Sequence, residues 1–118
     1  MVSKEFAAHF AQEWIAAWNS HNLEKVLEHY AEEFTMSSPF IVKLAHEPSG
    51  KLQGKAAVGN YWSKALALYP NLQFELISTL VGVNSIMLYY KGVSGPAAEV
   101  FYFDEEYKVI RAEAHYAL

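Results

Sequence analysis

Apolar residues recur every four positions at the start of the chain, at Phe6, Phe10, Trp14 and Trp18, with Ala7, Ala11 and Ile15 beside them. That spacing predicts one helix of about four turns with a wide apolar stripe. Ser3 can cap its start, and Asn19-Ser20-His21-Asn22 ends it, because short polar side chains compete for backbone hydrogen bonds. Leu23, Val26, Leu27 and Tyr30 predict a second, shorter helix, capped by Asn22. A brief strand is expected at Phe34-Thr35-Met36-Ser37-Ser38, stopped by Pro39. Residues 39–53 carry Pro48 and Gly50 and read as a loop at a pocket mouth. A third helix is expected from about Lys55 to Leu68, with Val58, Tyr61, Trp62, Ala65 and Leu68 on one side. Pro70 stops it.

Four strands should follow, Gln73 to Val81, Ser85 to Gly92, Ala97 to Asp104 and Lys108 to Tyr116. Helices followed by such a meander predict an α+β fold. The expected shape is a cone-like α+β barrel, with three N-terminal helices packed on a curved antiparallel sheet, in one domain spanning 1–118. The central strands are apolar on both faces. Ile86, Leu88 and Tyr90 oppose Met87 and Tyr89, and Phe101 and Phe103 oppose Val100 and Tyr102. Helices can cover only one face, so the other is expected to pack on a second subunit in a homodimer.

One position breaks this apolar pattern. Glu99 lies in Ala97-Ala98-Glu99-Val100-Phe101, on the same face as Phe101 and Phe103. An acid is rarely buried without a partner or a purpose. In apolar surroundings its charged form is disfavoured and its pKa rises, so that it can donate a hydrogen bond or act as general acid. Glu99 is therefore the candidate catalytic residue, with a structural hydrogen bond to Tyr30 or a tryptophan N–H as the alternative. Trp14, Trp18, Tyr30, Met36, Ser38, Tyr61, Trp62 and Phe101 are the candidate ligand-binding residues, although aromatics at helical spacing also simply pack. The last strand is open to two registers. A two-residue turn at Glu105-Glu106 pairs Glu99 with Ala112 and puts Tyr116 inward, which adds it to the binding set. A turn one residue longer brings His115 in as a candidate base.

Composition narrows the classes. The 118 residues are 53% hydrophobic and 15% aromatic, which excludes a disordered linker. A net charge of −4 with scattered basic residues points away from nucleic acid and anionic lipid. No apolar run reaches the roughly 20 residues that span a membrane, no cysteine is present, and the start, Met1-Val2-Ser3-Lys4-Glu5, has no signal-peptide core. A cytoplasmic protein is expected. His9, His21, His29 and His46 lack metal-ligand spacing, and no glycine-rich phosphate loop or nucleophile elbow occurs. No cofactor or metal is expected, and the expected partner is a small hydrophobic molecule.

The ordered set Trp14-Ile15-Ala16-Ala17-Trp18-Asn19 with Leu23, Tyr30 to Met36 with Pro39, Gly54-Lys55-Ala56-Ala57-Val58, Tyr61-Trp62, Tyr69-Pro70 and Phe103-Asp104 with Lys108-Val109-Ile110 runs through nearly the whole chain. It resembles the nuclear transport factor 2-like superfamily, and within it the SnoaL-like group and its ketosteroid isomerase relatives. The resemblance implies the cone-shaped fold and a pocket, but not one reaction. Ketosteroid isomerases place a carboxylate base just before the proline that ends the first strand, where this chain has Ser38. They place a tyrosine donor on the first helix, where it has Trp14, and a protonated acid on the penultimate long strand, where it has Glu99. Serine does not abstract a carbon-bound proton unaided, so steroid isomerisation by that route is rejected. SnoaL-like cyclases use a single acid as general acid/base in an apolar cavity. Two functions follow as expectations: a cofactor-independent isomerase, cyclase or hydratase using Glu99, or a non-catalytic binding or dimerisation module.

Overall fold

A computed structural model describes residues 1–118. The first helix, α1 (Lys4–Asn19), starts where the Ser3 side chain accepts from the Phe6 N–H. It ends before His21, which adopts a left-handed backbone (φ 58°). Its stripe is buried as the spacing predicts, with Phe10, Trp14 and Trp18 at most 5% exposed. The second helix, α2 (Leu23–Leu27), is shorter than expected. Tyr30 does not continue it but opens strand β1 (Tyr30–Ser37). The cause is a distant partner, since the carbonyl of His29 accepts from the N–H of Val109 and draws the chain into the sheet.

Residues 39–53 are not a plain loop. They hold a short helix α3 (Pro39–Leu44) and a short strand β2 (Lys51–Gln53). Ser38 caps α3 by accepting from the Phe40 N–H, and Pro39 occupies its first turn, where a missing N–H costs nothing. The proline thus starts a helix as well as ending a strand. Helix α4 (Lys55–Leu68) follows, after Gly54 turns the chain at φ 90°. The remaining strands are β3 (Glu75–Val81), β4 (Ser85–Gly92), β5 (Gly95–Phe103) and β6 (Val109–Tyr116).

Four helices, not three, therefore pack on one face of a six-stranded curved sheet of order β2-β1-β6-β5-β4-β3. The fold class is the expected α+β one, but the sheet ends at β2 and β3 and does not close into a barrel. Nor is it wholly antiparallel, because β1 runs parallel to β6. The inner face carries Ile86, Leu88, Tyr90, Phe101 and Phe103, all buried in the core, while Met87 and Tyr89 of the outer face are exposed.

The last hairpin corrects the expected register. Glu99 lies opposite Ala114, and Ala112 lies opposite Phe101. The turn is longer than two residues: Asp104 Oδ1 accepts from the N–H groups of Glu106 and Lys108, and Tyr107 takes a left-handed φ of 61°. A bulge beside Tyr102 and Phe103 adds to the displacement. The net slip is two residues, which preserves the face of every side chain. Tyr116 therefore faces inward opposite Ala97, and His115 lies on the outer face opposite Ala98, which removes it as a base beside Glu99.

Candidate functional site

One end of the inner face is left partly open. A cavity of about 70 Å³ lies there, with fourteen of its sixteen lining residues hydrophobic. Helix α1 contributes Trp14 and Trp18, β1 contributes Met36, and α4 contributes Tyr61 and Trp62. Glu99 and Tyr116 reach it from β5 and β6. The sequence candidates Tyr30, Ser38 and Phe101 do not line it. Tyr30 packs behind Trp62 with its ring against Phe34, and Phe101 packs edge-on to Phe10 and Trp14. Ser38 is buried and caps α3.

Glu99 sits on β5 between Leu88 and Ala114 of the flanking strands, only 3% exposed. Its Oε1 accepts a hydrogen bond from the Tyr90 hydroxyl at 3.3 Å, while Oε2 has no partner in the protein. Burial pushes its pKa up to about 8 against the opposing, smaller pull of the Tyr90 hydrogen bond. At neutral pH the carboxyl is therefore mostly protonated. In that form Oε1 accepts from Tyr90, and Oε2–H is an uncommitted donor. None of the expected alternative partners bonds it: Trp14 Nε1 donates instead to the Tyr30 hydroxyl at 3.0 Å. The Trp18 N–H has no partner either.

The buried phenols of Tyr30, Tyr61, Tyr90 and Tyr116 stay neutral. Burial raises the pKa of Tyr30, Tyr90, Tyr61 and Tyr116, with further upward pressure from Glu99 when it is charged. The Ser38 hydroxyl beside Tyr61 and Tyr116 opposes this. No histidine, lysine or second carboxylate lines the cavity, and no cluster of three or more His, Cys, Asp or Glu side chains is placed to hold a metal. The chemistry available here is that of one neutral carboxyl in an aromatic enclosure. It can donate a hydrogen bond to a ligand oxygen, or transfer its proton and then accept one.

Several lining residues were not singled out from the sequence. Tyr90 was legible in principle, because it shares the inner face with Ile86 and Leu88. Phe40 and Leu44 lie on the unforeseen α3. Leu72 and Phe74 come from an irregular segment held by long-range bonds. Asn19 bonds Phe74 through both its amide nitrogen and its oxygen, and a His21 ring nitrogen bonds the Leu72 carbonyl. No local pattern announces such contacts.

Comparison with known proteins bears on the fold. Residues 11–110 match the SnoaL-like domain family. A crystal structure of a SnoaL-like protein of unknown function from Burkholderia thailandensis is 51% identical, with a TM-score of 0.96 over 99% of this chain and 98% of that one. The epoxide hydrolase/cyclase-like enzyme SalBIII of pyran ring formation in salinomycin is 14% identical, with a TM-score of 0.79 over 100% of this chain and 95% of that one. A protein with a ketosteroid isomerase-like fold from Catenulispora acidiphila, in complex with trimethylamine, is 16% identical, with a TM-score of 0.70 over 92% and 85% of the two chains. The last two share the fold alone. No curated protein matches the sequence.

Proposed function

The chain belongs to the SnoaL-like domain family, and from that premise we propose that it binds a small, largely apolar molecule whose carbonyl or similar oxygen accepts from Glu99. The observation that carries this reading is the unpartnered Oε2 of a fully buried carboxyl on the wall of an apolar cavity. An orphaned buried polar atom is costly, and a ligand oxygen would relieve it. As an enzyme it is a cofactor-independent isomerase, cyclase or hydratase. Glu99 gives its proton to the ligand oxygen, and the carboxylate so formed removes a proton from the adjacent carbon. The ligand becomes the enol and Glu99 regains its neutral form. The cyclase-like activity named for SalBIII on the same fold supports this class.

The test is deuterium uptake at the carbons next to the carbonyl of 2-butanone in D2O, followed by NMR. Wild type should accelerate exchange, and Glu99→Gln, which cannot give up a carboxyl proton, should lose that acceleration. Equal exchange by both proteins rejects the catalytic role. Binding without exchange leaves the second reading, a non-catalytic binding module. Ser38 favours that reading, since its hydroxyl serves as a helix cap where a base would be needed.

The reading includes a homodimer in the cytoplasm. Leu80, Met87 and Tyr89 are exposed on the outer face of β3 and β4, with Val100 beside them on β5. No helix is long and apolar enough to cross a membrane. Sedimentation should return twice the 13.3 kDa chain mass, and Met87→Lys should halve it. A single-chain mass for wild type rejects the dimer.

A further inference from the structure

We propose that the site takes an elongated molecule, whose oxygen-bearing end enters the cavity beside Glu99 while its remainder leaves through a neck at Gly92 and Val93. Which end lies inside rests on the function proposed above. The two-part shape rests on separate observations.

The first is size. An apolar protein cavity of roughly 150 Å³ holds one benzene. The chamber beside Glu99 measures about 70 Å³, room for only a few heavy atoms. The second is continuity. An outer depression of about 440 Å³ shares Tyr69, Leu72, Gly92 and Val93 with the chamber, so the two volumes adjoin at those residues. Outside the neck the wall changes character, with Pro70, Asn71 and Gln73 in place of the rings within.

The third observation is Gly92 itself. Its backbone is outside the left-handed region, so its φ does not demand glycine. A Cβ built there meets the Tyr90 ring at 3.5 Å, the Gly95 carbonyl at 3.6 Å and the Ala97 Cβ at 3.7 Å, all ordinary contacts. Crowding does not demand glycine either. Glycine there is enforced by neither backbone nor neighbours, and Gly92 lines both the chamber and the depression. Val93, Tyr69 and Leu68 form an apolar rim there that is 39–58% exposed, a surface an apolar chain can cover on its way out.

All three tryptophans of the chain line the chamber, so intrinsic fluorescence reports its occupancy. The probes are two homologous series, methyl ketones from 2-butanone to 2-decanone and the matching 1-alkenes. For wild type, affinity in both series should rise roughly three- to fourfold per added methylene, beyond the length that fills the chamber. In Gly92→Leu the gain in affinity of the long members over the short ones should be lost. Thermal melting of the variant checks that it is folded.

Affinity that peaks at the shortest members and then falls overturns the two-part site, and this result needs no variant. A length dependence that survives in folded Gly92→Leu overturns the neck. Ketones that bind no better than alkenes of equal length, with the length dependence intact, remove the Glu99 contact and leave the two-part site standing. Failure of both series to bind overturns both.

Discussion

Helix α1 crosses two unlike neighbourhoods on the inner face of the same sheet. Its first half sets Phe6 and Phe10 against Phe101 and Phe103, with ring centroids 4.9–5.3 Å apart and mostly edge-on. Nothing there carries an unpartnered polar atom. Its second half sets Trp14 and Trp18 near Tyr90, Trp62 and Glu99, around a cavity in which two buried polar atoms lack partners. Strand β5 makes the same change in two residues, from Phe101 to Glu99. Apolar periodicity is equal in the two halves, but the second uses rings with polar tips and adds an acid. One end is built for density, and the other gives up density to keep space and hydrogen-bonding capacity.

Substitution can break that contrast. Phe10→Ala removes a ring packed on all sides and should cost about 3–5 kcal/mol in urea unfolding at any pH. A loss below about 1 kcal/mol would mean that this end is not the dense one. The open end should instead answer to pH. The Glu99 pKa is raised to about 8 in the folded chain, above the ordinary 4.5 of the unfolded one. Between these values the folded state holds one more proton, so stability falls as pH rises. The expected slope is about 1.4 kcal/mol per pH unit between about pH 5 and 8, flattening above and below. Glu99→Gln should remove this component and be the more stable protein at pH 8.5. Parallel pH profiles for the two proteins would place Glu99 in a wetter site than the fold shows. The smallest effect belongs to Trp18→Phe. It loses ring volume but also an N–H without a partner, so the net change should be about 1 kcal/mol or less. A loss as large as that of Phe10→Ala would show that Trp18 is ordinary core.

The sequence determined the elements whose cause is local. The four-residue stripe of α1, the period-two faces of β4 and β5, and the placement of Glu99 among inward residues all follow from how helices and strands orient their side chains. The anomaly of one acid in an apolar run was visible from the residues alone, and so was a ring-rich interior. Tertiary structure decided what depends on partners far along the chain. Tyr30 belongs to a strand because Val109 captures the residue before it, and β1 lies parallel to β6, which no hairpin rule could foretell. Phe40 and Leu44 of α3 reach the cavity wall because that helix packs on β6, where Phe40 meets the Tyr116 ring. The turn at Asp104–Lys108 displaced the last strand by two residues, and only that even number kept Tyr116 inward. Tyr90 became the partner of Glu99 because the register of β4 against β5 brought their side chains together. Periodicity tells each side chain which way to point, but the depth of a cavity and the partner of an acid depend on how distant elements align.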